Sequence, residues 1–256
     1  MRQNLLKNKV LFWLGLAHLI IFILLLIYSP FSDTKMLGIN VTIKPMKFAL
    51  SIWIYSWTMA LILNYLKDNR AIKIYSWVAV IVMCFEQIAI TTQALRGELS
   101  YFNKSSIYGI VLFSIMGVFI LAITLWTAYI TYIFIKQKNY DLAPAVALSI
   151  KIGLVFFVAF SLFGGYISSL QGHTVGSEDG GNGLWFINWS TFFGDLRVAH
   201  FFGIHSLQII PLFALITNSY FDNSTSIKPV KIFSFIYLTF IVFTMAQGLL
   251  GFPFLK

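Results

Sequence analysis

The stretch GDLRVAHFFGIHSLQIIP, residues 194–211, sets an aspartate, an arginine and two histidines in an otherwise apolar segment. At about 100° per residue, Arg197, His200, His205 and Gln208 fall within an arc of roughly 140° of one helix, with Asp195 pointing elsewhere. Imidazoles on such a face can hold an iron or zinc ion, carry a proton or hydrogen-bond a neighbouring helix, and an arginine near the helix start can meet an anion. Asp195 reads as the amino-terminal cap of the helix, complementing its dipole. A second stretch, FEQIAITTQALRG, brings Glu86, Gln93 and Arg96 into an arc of roughly 80° by the same geometry.

These residues need elements to position them, and composition says which kind. Of the 256 residues 59% are hydrophobic and 11% charged, whereas a soluble domain is roughly a quarter charged. The chain is therefore expected in a lipid bilayer. Its formal charge of +9 would suggest nucleic acid in a soluble protein, but the basic residues sit mostly in short breaks between apolar runs and read as topology signals. A nucleic-acid partner is not expected. The lone Cys84 excludes a disulfide framework and a thiolate metal cluster.

A spanning helix needs about 20 mostly apolar residues. Cutting the chain at its charges predicts seven, over residues 10–29, 47–66, 74–96, 106–135, 146–170, 197–218 and 231–251. The expected fold is all-α: one polytopic seven-helix transmembrane domain over residues 1–256. Pro30, Pro45, Pro144 and Pro229 fall near predicted helix ends, and Pro211 is expected to kink the sixth span. The first span lacks a small-residue cleavage site before SPFSD and reads as retained.

Basic residues are more numerous on the side holding the amino terminus and the loops near 67–73, 136–141 and 222–231. Lys35, Lys44, Lys47, Arg96, Lys104, Arg197 and Lys256 on the other side are roughly balanced by acids, Asp222 lying with the first set. The positive-inside rule then predicts amino terminus in and carboxyl terminus out. The longest connection, QGHTVGSEDGGNGLWFINWSTFFGD, is a Gly- and aromatic-rich outer loop between spans five and six. Trp185, Phe186, Trp189, Phe192 and Phe193 would let it fold back over the bundle mouth or rest at the interface.

Depth is set by a rise of about 1.5 Å per residue. Glu86 falls near mid-membrane and Arg96 at the outer boundary; His205 is deep and Arg197 shallow. KPMKF sets Lys44 and Lys47 at the same boundary, and His18 lies near the middle of the first span. The expectation is an outward-facing polar pocket between spans two, three and six, with Glu86 as its catalytic or proton-carrying group.

Three chemistries fit those residue types. In the first, a haem b or similar redox cofactor is held by axial His18 and His205, with His200 nearby. Arg96, Arg197, Lys44 and Lys47 would meet the propionates, Gln93 and Gln208 would line the pocket, and a quinone would be electron partner to a membrane oxidoreductase. In the second, the outer cations attract a small anionic solute and Glu86 couples its movement to protons, or conducts protons alone. In the third, imidazoles among His18, His200, His205 and His173, with Glu86 or Asp195, hold a metal for lipid hydrolysis; HEXXH is absent. A retinal protein is excluded, because Lys231 sits at the cytoplasmic end of the last span rather than deep within it.

IKPMKF, QALRGELSYFN, HTVGSEDGGNGL and GDLRVAHFFGIHSLQIIP together resemble an uncharacterised family of bacterial polytopic, seven-helix membrane proteins of unknown function. The resemblance spans most of the chain. It implies a bacterial cytoplasmic (inner) membrane and carries no activity.

Overall fold

In the computed structural model, residues 2–103, 106–181, 183–220 and 227–256 are described, the side chains of Arg2 and Gln3 excepted. Lys104 and Asp222, two of the topology signals, lie outside the described residues. The described chain runs α1 (Arg2–Leu5), α2 (Lys9–Tyr28), a 3-10 turn (Ser29–Phe31), β1 (Lys35–Met36), β2 (Ile39–Asn40), α3 (Ile43–Leu63) and α4 (Asn69–Leu95). It continues through α5 (Ile107–Lys136), α6 (Pro144–Ser169), β3 (Thr174–Val175), β4 (Gly194–Asp195), α7 (Arg197–Tyr220) and α8 (Ile227–Leu249). Helices α2 to α8 are each long and apolar enough to cross a membrane. This is a multi-pass integral membrane protein.

The outward faces agree with a lipid surround. Val118 on α5 is 63% exposed and Phe235 on α8 is 71% exposed, large apolar side chains that water would penalise and acyl chains would not.

Most span ends obey local chemistry. Asn8 caps α2 by accepting from the Leu11 N–H at 3.1 Å, and Asp68 caps α4 by accepting from Ala71 N–H at 2.9 Å. That cap starts α4 at Asn69, five residues before the charge-cut boundary at 74, so Arg70 and Lys73 belong to its first turns. Pro144 opens α6 at its first position, where its missing N–H costs nothing. Pro211 lies inside α7, which continues past it to Tyr220.

The carboxyl end of α4 turns the chain back on itself. Gly97 takes φ +69, its N–H donates to Ala94 O at 3.0 Å and Glu98 N–H donates to Gln93 O at 2.9 Å. This is a Schellman termination, with glycine where an L side chain would be strained. It brings residues 98–103 back over the helix end.

By packing, the chain divides into two compact units: Met1–Asn64 with Asp68–Ile123 and Asp179–Asn188, and Tyr65–Lys67 with Thr124–Glu178 and Trp189–Lys256. In the first, α2 packs along α3 and α4 joins both. The β1–β2 hairpin pairs Met36 with Ile39, and Gly180 of the long loop rests against Leu37. In the second, α6 and α7 pack most closely, with α8 beside them.

The α6–α7 approach depends on small residues. A Cβ on Gly203 would come within 2.1 Å of the Phe160 ring, and one on Gly164 within 2.5 Å of His200. In this unit β3 pairs with β4, and Gly194 passes so close to Gly248 that a Cβ would meet its carbonyl oxygen at 2.0 Å. The middle of the 171–195 loop, Asp179–Asn188, belongs to the first unit, and both of its ends belong to the second. Trp185 is 86% exposed, whereas Trp189 is buried against Phe201, Phe202 and Phe254.

Candidate functional site

Within the first unit, α4 presents Tyr75, Glu86 and Gln93 along one buried face. Their spacing of eleven and seven residues places them within an arc of about 20°. Glu86 is buried, and its Oε2 accepts a 3.0 Å hydrogen bond from the Tyr101 hydroxyl. Its Oε1 is buried with no hydrogen-bond partner among the described residues. Lys44, in the first turn of α3, holds its ammonium 4.1 Å from the centroid of the Tyr101 ring, a cation–π contact strengthened where water is excluded.

Tyr101 is the hinge of this cluster, and it comes from the reversed loop after Gly97. Burial holds its hydroxyl well above the ordinary phenol range, and the Glu86 charge adds to the effect. The hydroxyl therefore keeps its proton and is the donor. Its ring packs against Phe48, Phe102 and Phe113.

A second cluster closes the end of α4. Glu98 accepts from Arg96 Nη2 at 3.0 Å, Gln93 Nε2 at 3.3 Å and Asn103 Nδ2 at 3.3 Å. The Arg96 hydrogen bond is the main reason the Glu98 carboxyl lies below the usual carboxylate range. Arg96 also stacks 5.0 Å from the Tyr108 ring centroid. A groove of about 540 Å³ beside it runs between α4 and α5, lined by Phe85, Ile88, Thr92, Tyr108 and Leu112 among others.

The remaining candidates from the sequence are each held by a nearby protein group. Lys47 Nζ donates to Ile187 O at 3.1 Å. His18 is buried on α2, its Nδ1 bonded to Leu14 O at 2.8 Å. In the second unit, Arg197 folds back on Asp195, donating from Nε at 2.9 Å and from its backbone N–H at 3.0 Å to the same carboxylate oxygen. The expected capping by Asp195 is present, but it comes from β4, two residues before the helix, and carries an ion pair with it.

His200 Nδ1 donates to Phe160 O on α6 at 2.8 Å, and its ring fills the notch left by Gly164. His205 Nδ1 donates to Gln208 Oε1 at 3.3 Å, and its ring lies 4.4 Å from that of Phe201. The single polar face drawn from the sequence is therefore divided: His200 serves helix packing, while His205 and Gln208 bond each other. Among the described residues no three His, Cys, Asp or Glu side chains form a metal-binding group.

No protein-family model matches the chain, and no curated protein or solved structure is significantly similar to it. The functional reading therefore rests on the site itself.

Sequence reasoning overlooked Tyr101, Asn103 and the role of Glu98. The signal for them was Gly97 directly after the polar stripe of α4: a helix-ending glycine there turns the next residues back toward Gln93 and Glu86.

Proposed function

We propose that this multi-pass membrane protein handles protons, as a proton channel or the proton-coupling element of a carrier, with Glu86 as the proton-carrying carboxyl. The observation that carries the reading is the unequal pair of oxygens on Glu86, Oε2 held by Tyr101 and Oε1 buried without a described partner. A buried acidic side chain within a spanning helix is costly and marks a functional path. An oxygen left unpaired is where a proton, or a water carrying one, is held.

The surroundings support it. Ser56 Oγ, His18 Nε2, Gln87 Oε1 and Gln93 Oε1, all in the first unit, are likewise buried without a described partner. Tyr75, Glu86 and Gln93 are spread over about 27 Å of one buried face of α4 at 1.5 Å per residue, with Ala79 and Val82 between the first two, against a hydrocarbon thickness of roughly 30 Å. Lys44 over Tyr101 would balance the carboxylate formed when the proton leaves.

The anionic-solute and haem readings draw less support. The cations each needs are engaged by protein groups: Lys47 by Ile187 O, Arg96 by Glu98 and Arg197 by Asp195. We place the amino terminus on the cytoplasmic side on the lysine and arginine bias, and the membrane as a bacterial inner one on the resemblance alone; reporter fusions at each terminus check the orientation.

The test is proton flux into liposomes carrying the purified protein and an internal pH dye, driven by a potassium diffusion potential. The parent conducts above empty liposomes and Glu86→Gln loses at least tenfold; equal flux from both overturns the reading. A strong Soret band in the purified protein, lost in His205→Ala, would replace it with the haem reading.

A further inference from the structure

We infer that the groove between α4 and α5 binds one phospholipid with a primary-ammonium headgroup, a phosphatidylethanolamine, with its phosphate on Arg96, its ammonium on Glu98 and one acyl chain along the groove. The inference stands apart from the proton-handling reading and concerns a different face of α4.

The groove lies wholly within the first unit and has an apolar floor. Ala89 and Ile90 of α4 and Met116 of α5 form a buried cluster against which Phe85 and Leu112 pack, and the Phe85 and Phe119 rings meet with centroids 4.8 Å apart. Above that floor the two helices leave about 540 Å³ open. Its α4 wall, Phe85, Ile88, Ala89, Thr92, Leu95 and Arg96, follows the three- and four-residue spacing of a single helical face. Glu86 and Gln93 lie roughly 100° around the helix from it.

Length and polarity fit one leaflet. From Phe85 to Arg96 the wall runs about 16 Å at 1.5 Å per residue, roughly half of a hydrocarbon thickness near 30 Å. Ile88 and Leu95 are each 63% exposed, the setting in which an acyl chain replaces water. The Thr92 hydroxyl donates to Ile88 O at 2.8 Å and Ala89 O at 3.1 Å in its own helix, so it presents no donor to such a chain. Charge stands only at the end of the groove, where α4 meets the boundary and phosphates lie.

That end offers both signs of charge. The Arg96 and Glu98 side chains are 52% and 32% exposed. Arg96 donates to Glu98 at 3.0 Å and holds its guanidinium 5.0 Å from the Tyr108 ring centroid. One of its five side-chain donors is thereby engaged, which leaves a pair for the bidentate grip that arginine has on phosphate. Glu98 accepts from Arg96, Gln93 and Asn103, three of about four acceptor positions on a carboxylate, and an ammonium fits the fourth. A lone anion would meet an arginine already neutralised by its neighbour, whereas a zwitterion satisfies both members of the pair. A choline headgroup has no N–H to give Glu98.

Native mass spectrometry of the full-length protein, released from detergent and titrated with phosphatidylethanolamine, phosphatidylcholine and phosphatidylglycerol of matched chains, tests the site. The parent should bind one phosphatidylethanolamine about tenfold tighter than either other lipid, the scale of one charge-assisted hydrogen bond. Glu98→Gln should abolish that preference, and Arg96→Gln should weaken all three lipids. Thr92→Trp should do the same by filling the groove; Thr92 is exposed and bonded only within its own helix, so this variant folds whether or not the charge variants do. Phosphatidylethanolamine binding unchanged in both Arg96→Gln and Thr92→Trp overturns the site. Equal parent affinity for the three lipids overturns the ammonium contact, and competition by glycerophosphoethanolamine, the headgroup without chains, overturns the acyl placement. A parent dimer that Thr92→Trp converts to monomer gives the groove to a second copy of the chain and overturns the lipid.

Discussion

Tyr101 donates to Glu86 at 3.0 Å across fifteen residues of sequence, joining the buried face of α4 to the loop after it. The bond depends on the chain reversal at Gly97, which delivers Tyr101 to the helix it has just left. Replacing Tyr101 with Phe keeps the ring over which Lys44 sits and removes only the donor. Both oxygens of Glu86 then lack a donor among the described residues, a loss on the order of 1–3 kcal/mol for a buried acceptor. Lower thermal stability in detergent, together with slower proton flux, is the expected result.

Gly97→Ala isolates the cost of the reversal. Nothing lies within 4 Å of a Cβ there, so the substitution meets no clash and its only cost is that of φ +69. Left-handed backbone costs an L residue about 1–2 kcal/mol. Thermal unfolding should fall by that amount, and the infrared carboxyl band of Glu86 should broaden as residues 98–103 loosen.

Adjacent glycines on α6 should behave oppositely. Gly164→Ala drives a methyl to 2.5 Å from the His200 ring, whereas a Cβ on Gly165 finds open space. The first should destabilise by about 1–3 kcal/mol through overpacking and break the bond from His200 to Phe160 O. The second should be neutral or stabilising by up to about 1 kcal/mol, because alanine is the better helix former. Unfolding midpoints of the two variants measured side by side check this.

Acid should loosen the end of α4 through Glu98. Its folded carboxyl lies below the ordinary value, chiefly because of the Arg96 hydrogen bond. The linked stability is therefore present above the unfolded value near about 4.3 and is lost as pH falls through the folded value. Glu98→Gln should lower the neutral plateau toward the acid level and so flatten the acid limb of a stability–pH profile below about pH 5. A profile with the same acid limb in both proteins would show that Glu98 contributes no such linkage.

Much of the architecture was readable along the chain because a bilayer demands long apolar runs and excludes most charge from them. All seven spans lie where apolar length required them. Boundaries moved where a cap outweighed a charge, as at Asp68, which begins α4 ahead of Arg70 and Lys73. The polar stripe through Glu86 and Gln93 was equally legible, since helical spacing alone puts those residues on one face.

Pairing was not legible, because sequence periodicity gives a direction around a helix but not what stands opposite. Arg197 and His200 share an arc, yet one turns back to Asp195 and the other reaches Phe160 O through a notch that only Gly164 leaves open. The sequence by itself determined that the chain enters a membrane, how many times it can cross, and that Glu86 is carried on a spanning helix. Tertiary structure alone decided that Tyr101 occupies one oxygen of Glu86 and leaves the other without a partner among the described residues: hydrogen-bond partners separated by a turn of loop are chosen by the path of the backbone in space, which a helical period does not encode.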